Sequence, residues 1–435
     1  MKGLRLVASP LGLQAAALTD IGMRRTTNQD SHALLTADSA EMLASRGHLL
    51  MVADGMGAHA AGELASRIAA DGVPHLYRKY VELSPPEALL RAFLETNTEI
   101  NRRGSASTDF HNMGTTGSVL VLHPKGAIAG HVGDSRIYRL RDGILCQLTF
   151  DHSLQWELRA SGQLPEGSDL AAVVPKNVIT RSLGPNANVQ VDLEGPHPIA
   201  LDDAYLLCSD GLTGRVEDSE IGAVLASLPP TEAAQALVDL ANLRGGPDNV
   251  TVLIGRVSGT ELVTNPDAQG PLRMTGTRRL QPTNMLIWVT ALICGLAAGI
   301  LWFMGQVLAA EIACGVAAVA ALVAVVHRHW IMSGTALGGE KMLGKGPYTQ
   351  VSCRPSHELA QKLKATLDEL REAARDGDWS IDWQPLDEAL RQAKQADEAG
   401  KFPDAVRFYC RGISYVMNAL RTQTVRKGGD SAVRY

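Results

Sequence analysis

The stretch Met285–Val326 constrains this chain more than any other: 42 residues, almost wholly apolar, with Glu311 as the only formal charge. A helix crosses the hydrocarbon core of a bilayer with about 20 apolar residues, so the block is long enough to cross twice. Gly305 and Gln306 lie near its middle, where a hairpin has to turn. The sequence therefore predicts two spans, Met285–Met304 and Val307–Val326, with a very short connection. The alternative, a buried core hairpin, does not suit so long a run. Arg273, Arg278 and Arg279 precede the block, and His327, Arg328 and His329 follow it. Basic residues on both outer flanks place both flanks in the cytoplasm, with the hairpin in the cell (inner) membrane. The start of the chain is not read as a signal peptide, because Pro10 and Gln14 interrupt its apolar run.

The block divides unlike halves. Residues 258–284 are rich in Gly, Pro, Thr and Asn and read as a linker, and 327–356 read the same way. Beyond them, Leu359, Leu363, Leu367 and Leu370 recur at helical spacing, as do Val406, Cys410, Ile413, Met417 and Leu420. Pro385 and Pro403 sit where new helices can begin. A three-helix domain over 357–425 is expected, followed by a tail over 426–435. Gly400, Phe402, Ala405 and Tyr409 are spaced like one tetratricopeptide-like helical pair. A small bundle is the other reading, and either form could bind a protein partner or dimerise.

Residues 1–257 pattern differently. Short β-rich runs (HLLMVAD, SVLVL, SRIYRL, AYLLCSD, NVTVLIGRV) are separated by turns, with helical stretches at Ala60–Leu83 and Pro85–Arg102 between them. Strands arriving in close pairs with grouped helices point to an α+β fold. The formal charge of −5 gives no argument for nucleic acid. The six cysteines include no C-x-x-C pair, which excludes a disulfide scaffold and offers no zinc site.

The acidic residues fall at strand ends. Asp54 closes HLLMVA, Asp210 closes YLLCS, Asp134 lies between two apolar runs, and Asp248 opens NVTVLIG. A carboxylate at the lip of a strand is held rigidly and still reaches solvent. Neighbouring glycines let the backbone approach an ion, so the Gly55 carbonyl could be a ligand as well. Any single Asp-Gly also marks an ordinary turn. Four strand-end acids, with no Cys or His pair at ligand spacing, favour hard ions such as Mg²⁺ or Mn²⁺.

At this point a family resemblance enters. DIGMRRTTNQDS (Asp20–Ser31) and VADGMGAHAAGELAS (Val52–Ser66) resemble the first two blocks of the type 2C metal-dependent serine/threonine protein phosphatases, in their bacterial form. MGTTGSVLVL, GHVGDSRIYRLRDG, LTFDHSL, VITRSLG, LLCSDGLT and GGPDNVTVLI follow in the family's order, so the likeness runs over residues 15–257. The resemblance implies a type 2C phosphatase domain over 1–257: two mainly antiparallel sheets packed face to face, with helices outside both. It implies two Mn²⁺ or Mg²⁺ ions, bridged by Asp54, with the Gly55 carbonyl, Asp210 and Asp248 as further direct ligands and Asp30 acting through water. Asp134, with Asp210, matches the place of a third, weaker ion. Arg25 matches the arginine that grips the phosphoryl oxygens. Phosphoserine and phosphothreonine proteins are the implied substrates, and a membrane serine/threonine kinase with its own substrates is the implied partner.

Some positions depart from the family. Met56 stands where many eukaryotic members carry a histidine, although bacterial relatives commonly have methionine there. Ala58 replaces a usual glycine, and Gln29 stands where Glu or Gln occurs. Pro247 stiffens the approach to Asp248. His59, His131 and His152 read as structural histidines, and Cys208 as a buried strand residue. Residues 153–180 resemble the variable flap beside the active site. A catalytically weak scaffold that keeps the fold, and a hydrolase of small phosphoesters, are the competing functional readings.

Overall fold

The structure, a computed structural model, describes residues 2–57, 60–164, 174–175, 178–265, 296–309, 311, 314–315, 318, 343–376 and 381–431. In chain order the strands are β1 (Lys2–Ser9), β2 (Leu13–Asp20), β3 (Asp30–Leu35), β4 (His48–Met56), β5 (Gly114–Thr115), β6 (Gly117–His123) and β7 (Gly126–Val132). They continue as β8 (Arg136–Arg141), β9 (Ile144–Gln147), β10 (Asp192–His197), β11 (Ala204–Cys208), β12 (Val250–Val257) and β13 (Thr349–Ser352). One sheet has the order β1-β2-β12-β11-β8-β9-β13; the other runs β10-β7-β6-β4-β3, with β5 paired to β4. Neighbouring strands are antiparallel throughout.

Period-two alternation sorts the side chains into layers. Leu13, Ala15 and Ala17 of β2, Tyr205 and Leu207 of β11 and Leu253 of β12 meet Leu50, Val52, Leu120 and Leu122 of the other sheet in the central core. The alternate residues Leu49, Met51, Ala53, Val119 and Val121 pack with side chains of helices α2 (Ala61–Lys79) and α3 (Pro85–Ala106), which follow the short α1 (Ala40–Arg46). On the opposite face, Ala16, Leu18, Leu206, Cys208, Val252 and Ile254 pack against a second helical layer. The result is the expected helix–sheet–sheet–helix sandwich. Helix α2 ends before the expected Leu83, where Arg46 Nη2 takes the carbonyls of Tyr80 (2.7 Å) and Leu83 (3.0 Å) and turns the chain out.

After α4 (Leu154–Ala160) and the single turn α5 (Asp210–Thr213), the second helical layer begins with α6 (Asp218–Ser227) and α7 (Pro230–Leu243). The C-terminal helices α8 (His357–Asp376), α9 (Gln384–Glu398) and α10 (Phe402–Ser431) extend it. Leu363, Leu367, Tyr409 and Ile413 share one buried cluster with Val224 and Leu237. Arg411 holds Glu232 by two hydrogen bonds, of 2.7 and 2.9 Å, and Arg407 Nε donates to the Ser227 carbonyl at 2.9 Å. Residues 1–273 and 342–435 form one compact unit, and 274–341 a second. Part of the stretch read as a linker is ordered into this unit: β13 pairs with β9, and Tyr348 Oη donates to Glu194 Oε1 at 2.5 Å.

In the second unit, helical residues 296–303 end at a turn over Met304–Gly305, with Gly305 at φ +75°. That is close to the expected connection. Most of the predicted hairpin, 285–326, lies outside the described residues. Among the described residues no helix is long and apolar enough to cross a membrane. The described helices therefore do not support the two predicted spans.

Ile413 is fully buried in the cluster shared by the tail and the sandwich. Ile413→Ala is expected to cost about 2–5 kcal/mol. Urea unfolding followed by far- and near-ultraviolet circular dichroism should show one transition shifted as a whole; a separate early transition for the tail would contradict the shared core.

Candidate active site

The strand-end acids lie on the rims of both sheets. Asp30 opens β3 directly opposite Asp54 near the end of β4. Asp134 sits in the turn between β7 and β8, Asp210 opens α5 immediately after β11, and Asp248 stands two residues before β12. Small uncharged donors fix this rim. The Thr116 hydroxyl accepts from the Asp54 N–H at 2.8 Å, while the Asp54 carbonyl accepts from the Thr115 hydroxyl (2.9 Å) and the Thr116 N–H (2.8 Å). Ser209 links the sheets: its Oγ accepts from Thr251 N–H at 2.9 Å and donates to Asp30 Oδ2 at 2.8 Å. Gly55 is required by close approach, because a Cβ there would lie 2.1 Å from the Gly62 carbonyl oxygen.

Burial and mutual repulsion act on these carboxylates together. Burial, reinforced by Asp30, Asp210, Asp134 and Asp248, holds Asp54 well above the usual carboxylate range. Asp30 is pushed up to about 7, chiefly by burial, against hydrogen bonds from Thr251 and Ser209. Burial and then Asp210 push Asp134 up to about 7. Burial and Asp248 raise Asp210, while a hydrogen bond with Asp54 opposes the rise. Asp30 Oδ1 and Asp134 Oδ1 are buried without a hydrogen-bond partner. Unpartnered carboxylate oxygens among like charges are a donor set suited to hard divalent cations. Asp54, the Gly55 carbonyl, Asp210, Asp248, Asp30 and Asp134 are the groups that could hold them. They are gathered without being closed into a cage: among the described residues no three His, Cys, Asp or Glu side chains form a ready ligand group.

Arg25 stands at the open edge, its side chain half exposed, with Nη2 2.7 Å from Asp248 Oδ2. That hydrogen bond raises its pKa, burial lowers it, and the charges of Asp248, Asp54 and Asp210 raise it further, so the guanidinium shares their field. Its loop is clamped by Asn249. The Asn249 Oδ1 accepts from Gln29 N–H at 2.8 Å, and Nδ2 donates to the carbonyls of Ile21 (2.9 Å) and Thr27 (3.0 Å). Met23 N–H adds a bond to the Gly246 carbonyl at 2.8 Å.

Sequence reasoning assigned no role to Asn249, Ser209, Thr115 or Thr116. The available signal was a small polar residue at a strand end inside a motif, beside each acid. His131 is buried, stacks on His152 with ring centroids 4.9 Å apart, and is pushed down to about 3 by burial. His152 bonds to Gly133 N–H at 3.0 Å and to Asp192 at 3.0 Å, a structural role. His59 and residues 165–173 of the expected flap lie outside the described residues. Cys208 is fully buried in the outer core, and burial pushes its thiol far up.

A family profile described as protein phosphatase 2C matches residues 23–157. The protein phosphatase PhpP of Streptococcus pneumoniae is 36% identical over 249 residues, covering 56% of this chain and 96% of that protein. The chain belongs to the protein phosphatase 2C family. The serine/threonine phosphatase stp of Listeria monocytogenes is 34% identical, over 56% of this chain and 95% of its own length. Among solved structures, the serine/threonine phosphatase PstP/Ppp of Mycobacterium tuberculosis superposes with a TM-score of 0.50 at 34% identity, over 57% of this chain and all of that one. This protein phosphatase 2C is a protein serine/threonine phosphatase of the bacterial kind, and its family is metal-dependent.

Asn249→Ala leaves one N–H and two carbonyls of the Arg25 loop without their partner, at about 1–3 kcal/mol for each group that stays unpaired. The expected result is a higher KM for a phosphopeptide, a smaller change in kcat and a lower unfolding midpoint. Unchanged KM would contradict the clamp.

Proposed function

We propose that this phosphatase hydrolyses phosphoserine and phosphothreonine in proteins with two divalent ions, Mn²⁺ or Mg²⁺, and that water attacks phosphorus directly without a phosphoenzyme. The observation that carries the reading is the convergence of five strand-end carboxylates from both sheets beside one half-exposed arginine. Asp54, the Gly55 carbonyl, Asp210 and Asp248 would hold the pair, with Asp30 acting through water and Asp134 with Asp210 as the place of a third, weaker ion. Bound there, such ions supply a water that ionises near neutral pH and offset charge on the phosphoryl group.

The chain's own residues do the rest. Arg25 presents a planar, permanently charged fork suited to phosphoryl oxygens, and it is open to a protein substrate. Exchanging Asp248 for a phosphoryl group would release that carboxylate toward the cations. Phosphoryl transfer asks chiefly for such positioning. Neither Cys208 nor Ser209 is fit to attack: Cys208 is sealed in the core with its thiol protonated, and Ser209 Oγ is spent on Asp30 and Thr251.

The reading extends to a cytoplasm-facing enzyme anchored in the cell membrane, close to a membrane serine/threonine kinase and its substrates. Its supports are the apolar block Met285–Val326, its basic flanks, and the exposed side chains of Leu296, Ile300, Trp302, Phe303, Met304 and Leu308. The helices after residue 356 are the part available to a protein partner.

Manganese-dependent phosphate release from a phosphothreonine peptide, abolished by chelator, is the expected activity, with small phosphometabolites turned over far less well. Asp54→Ala and Asp210→Ala are expected to lose nearly all turnover, and Arg25→Ala to raise KM by roughly 10–100-fold. Near-normal rates in Asp210→Ala would refute the assignment. Deleting residues 285–326 should move the protein out of the membrane fraction; an unchanged distribution would refute the anchor.

A further inference from the structure

Two buried carboxylates outside the catalytic rim depend on the C-terminal helix for their counter-charge. Asp239 of α7 has no exposed side-chain surface, and Asp20 at the end of β2 has one tenth exposed. Arg421 of α10 lies between them, its Nη2 3.1 Å from Asp239 Oδ1 and 3.4 Å from Asp20 Oδ2. Among the described residues neither acid has another ion pair. Their other contacts are neutral: Gln235 Nε2 donates to Asp239 Oδ2 at 2.9 Å, the Ser414 side chain hydrogen-bonds Asp239, and Asn242 Nδ2 donates to Asp20 Oδ1 at 3.0 Å. Removing the one cation from such a group leaves buried charge uncompensated, which is among the most disruptive single changes a fold can suffer.

Asp20 is also the root of the loop that carries Arg25. Its Oδ1 accepts the Gly22 N–H at 3.0 Å, fixing the first turn of that loop, and Arg25 follows three residues later. Asn249 holds the loop at Ile21, Thr27 and Gln29, and the Gly246 carbonyl holds Met23 N–H. The turn at Gly22 between them rests on Asp20, and the charge of Asp20 rests on Arg421 of α10.

We propose that Arg421 is a positioning residue for Arg25, through which the docked C-terminal helix sets the affinity of a substrate site it does not touch. The proposal rests on the reading of Arg25 as the phosphate-binding group. Arg421 acts as shared counter-ion to Asp20 and Asp239; with it in place the loop root is neutralised and Gly22 is held, and without it Asp20 seeks water and the loop loosens. Undocking of α10 thereby weakens substrate binding without altering the catalytic acids.

The test uses the full chain and a phosphothreonine peptide. Arg421→Met, which keeps the side chain's bulk without its charge, is expected to raise KM about three- to tenfold with kcat within about twofold, the size of typical coupling between linked sites. Arg421→Lys should recover most of the loss, whereas Arg421→Met combined with Asp239→Asn should not, because it leaves Asp20 without its counter-ion. Amide hydrogen exchange should quicken over residues 21–29 and stay unchanged in β6 and β7. In an Arg25→Ala background, Arg421→Met should add no further rise in KM, because the two act through one loop. A full additional rise in that background overturns the proposal, as does an unchanged KM with unchanged exchange in the single variant. Loss of kcat in step with a globally unfolded fraction overturns it as well. If Arg25→Ala alone leaves KM untouched, the reading of Arg25 fails first and carries this proposal with it; a raised KM in Arg25→Ala with none in Arg421→Met defeats this proposal alone.

Discussion

Repulsion among buried carboxylates is the constraint on which the rest of this structure depends. Asp30, Asp54, Asp134 and Asp210 are drawn into one poorly solvated rim, and burial first, with the neighbouring carboxylates adding to it, raises the pKa of each. Such an arrangement is unfavourable in itself and persists only where the surrounding fold over-determines it. Here the over-determination comes from neutral hydrogen bonds. Thr115 and Thr116 grip the Asp54 backbone, Ser209 ties Asp30 across to β12, and Asn249 clamps the loop beside Asp248. Each supplies order without adding charge, so the negative potential of the rim is preserved for cations and for the arginine that faces them.

The sandwich is what makes this affordable. Alternation along β2, β4, β6, β11 and β12 fills a central core and two outer ones, so the strands that carry the acids are gripped on both faces. Rigid strands present the carboxylates, and the mobile choices are left to loops. The C-terminal helices enlarge the outer core on one side only, over α6 and α7. They bring a second set of charges, Arg407, Arg411 and Arg421, onto the carbonyls and carboxylates of that layer.

Much of this was legible in the sequence, because the informative features were local. The strand-end acids, the glycine beside Asp54 and the prolines that open α9 and α10 each announce themselves within a few residues. What escaped depends on distant partners. β2 (LQAAALTD) and β7 (GAIAGHV) are rich in alanine and glycine, poor strand formers by propensity, and become strands because neighbours on both edges complete their ladders. β13 was hidden in a Gly-rich stretch and exists through β9. The partners of Ser209 and Asn249 could not be read for the same reason, since they lie 179 and 220 residues away. The packing of the tail onto α6 and α7 could not be read from helical stripes, which state that a face is buried but not against what. The apolar block was plain as a pattern, yet its spans fall mostly outside the described residues.

The central claim is that aspartates from distant parts of the chain converge to bind paired cations. Calorimetric titration of the full-length protein with Mn²⁺ tests it most directly, comparing the natural chain with Asp54→Asn, a substitution that keeps shape and removes the bridging charge. The account predicts two strongly bound ions in the natural chain and the loss of both in the variant. Equal binding by the two proteins, or none by either, would contradict it.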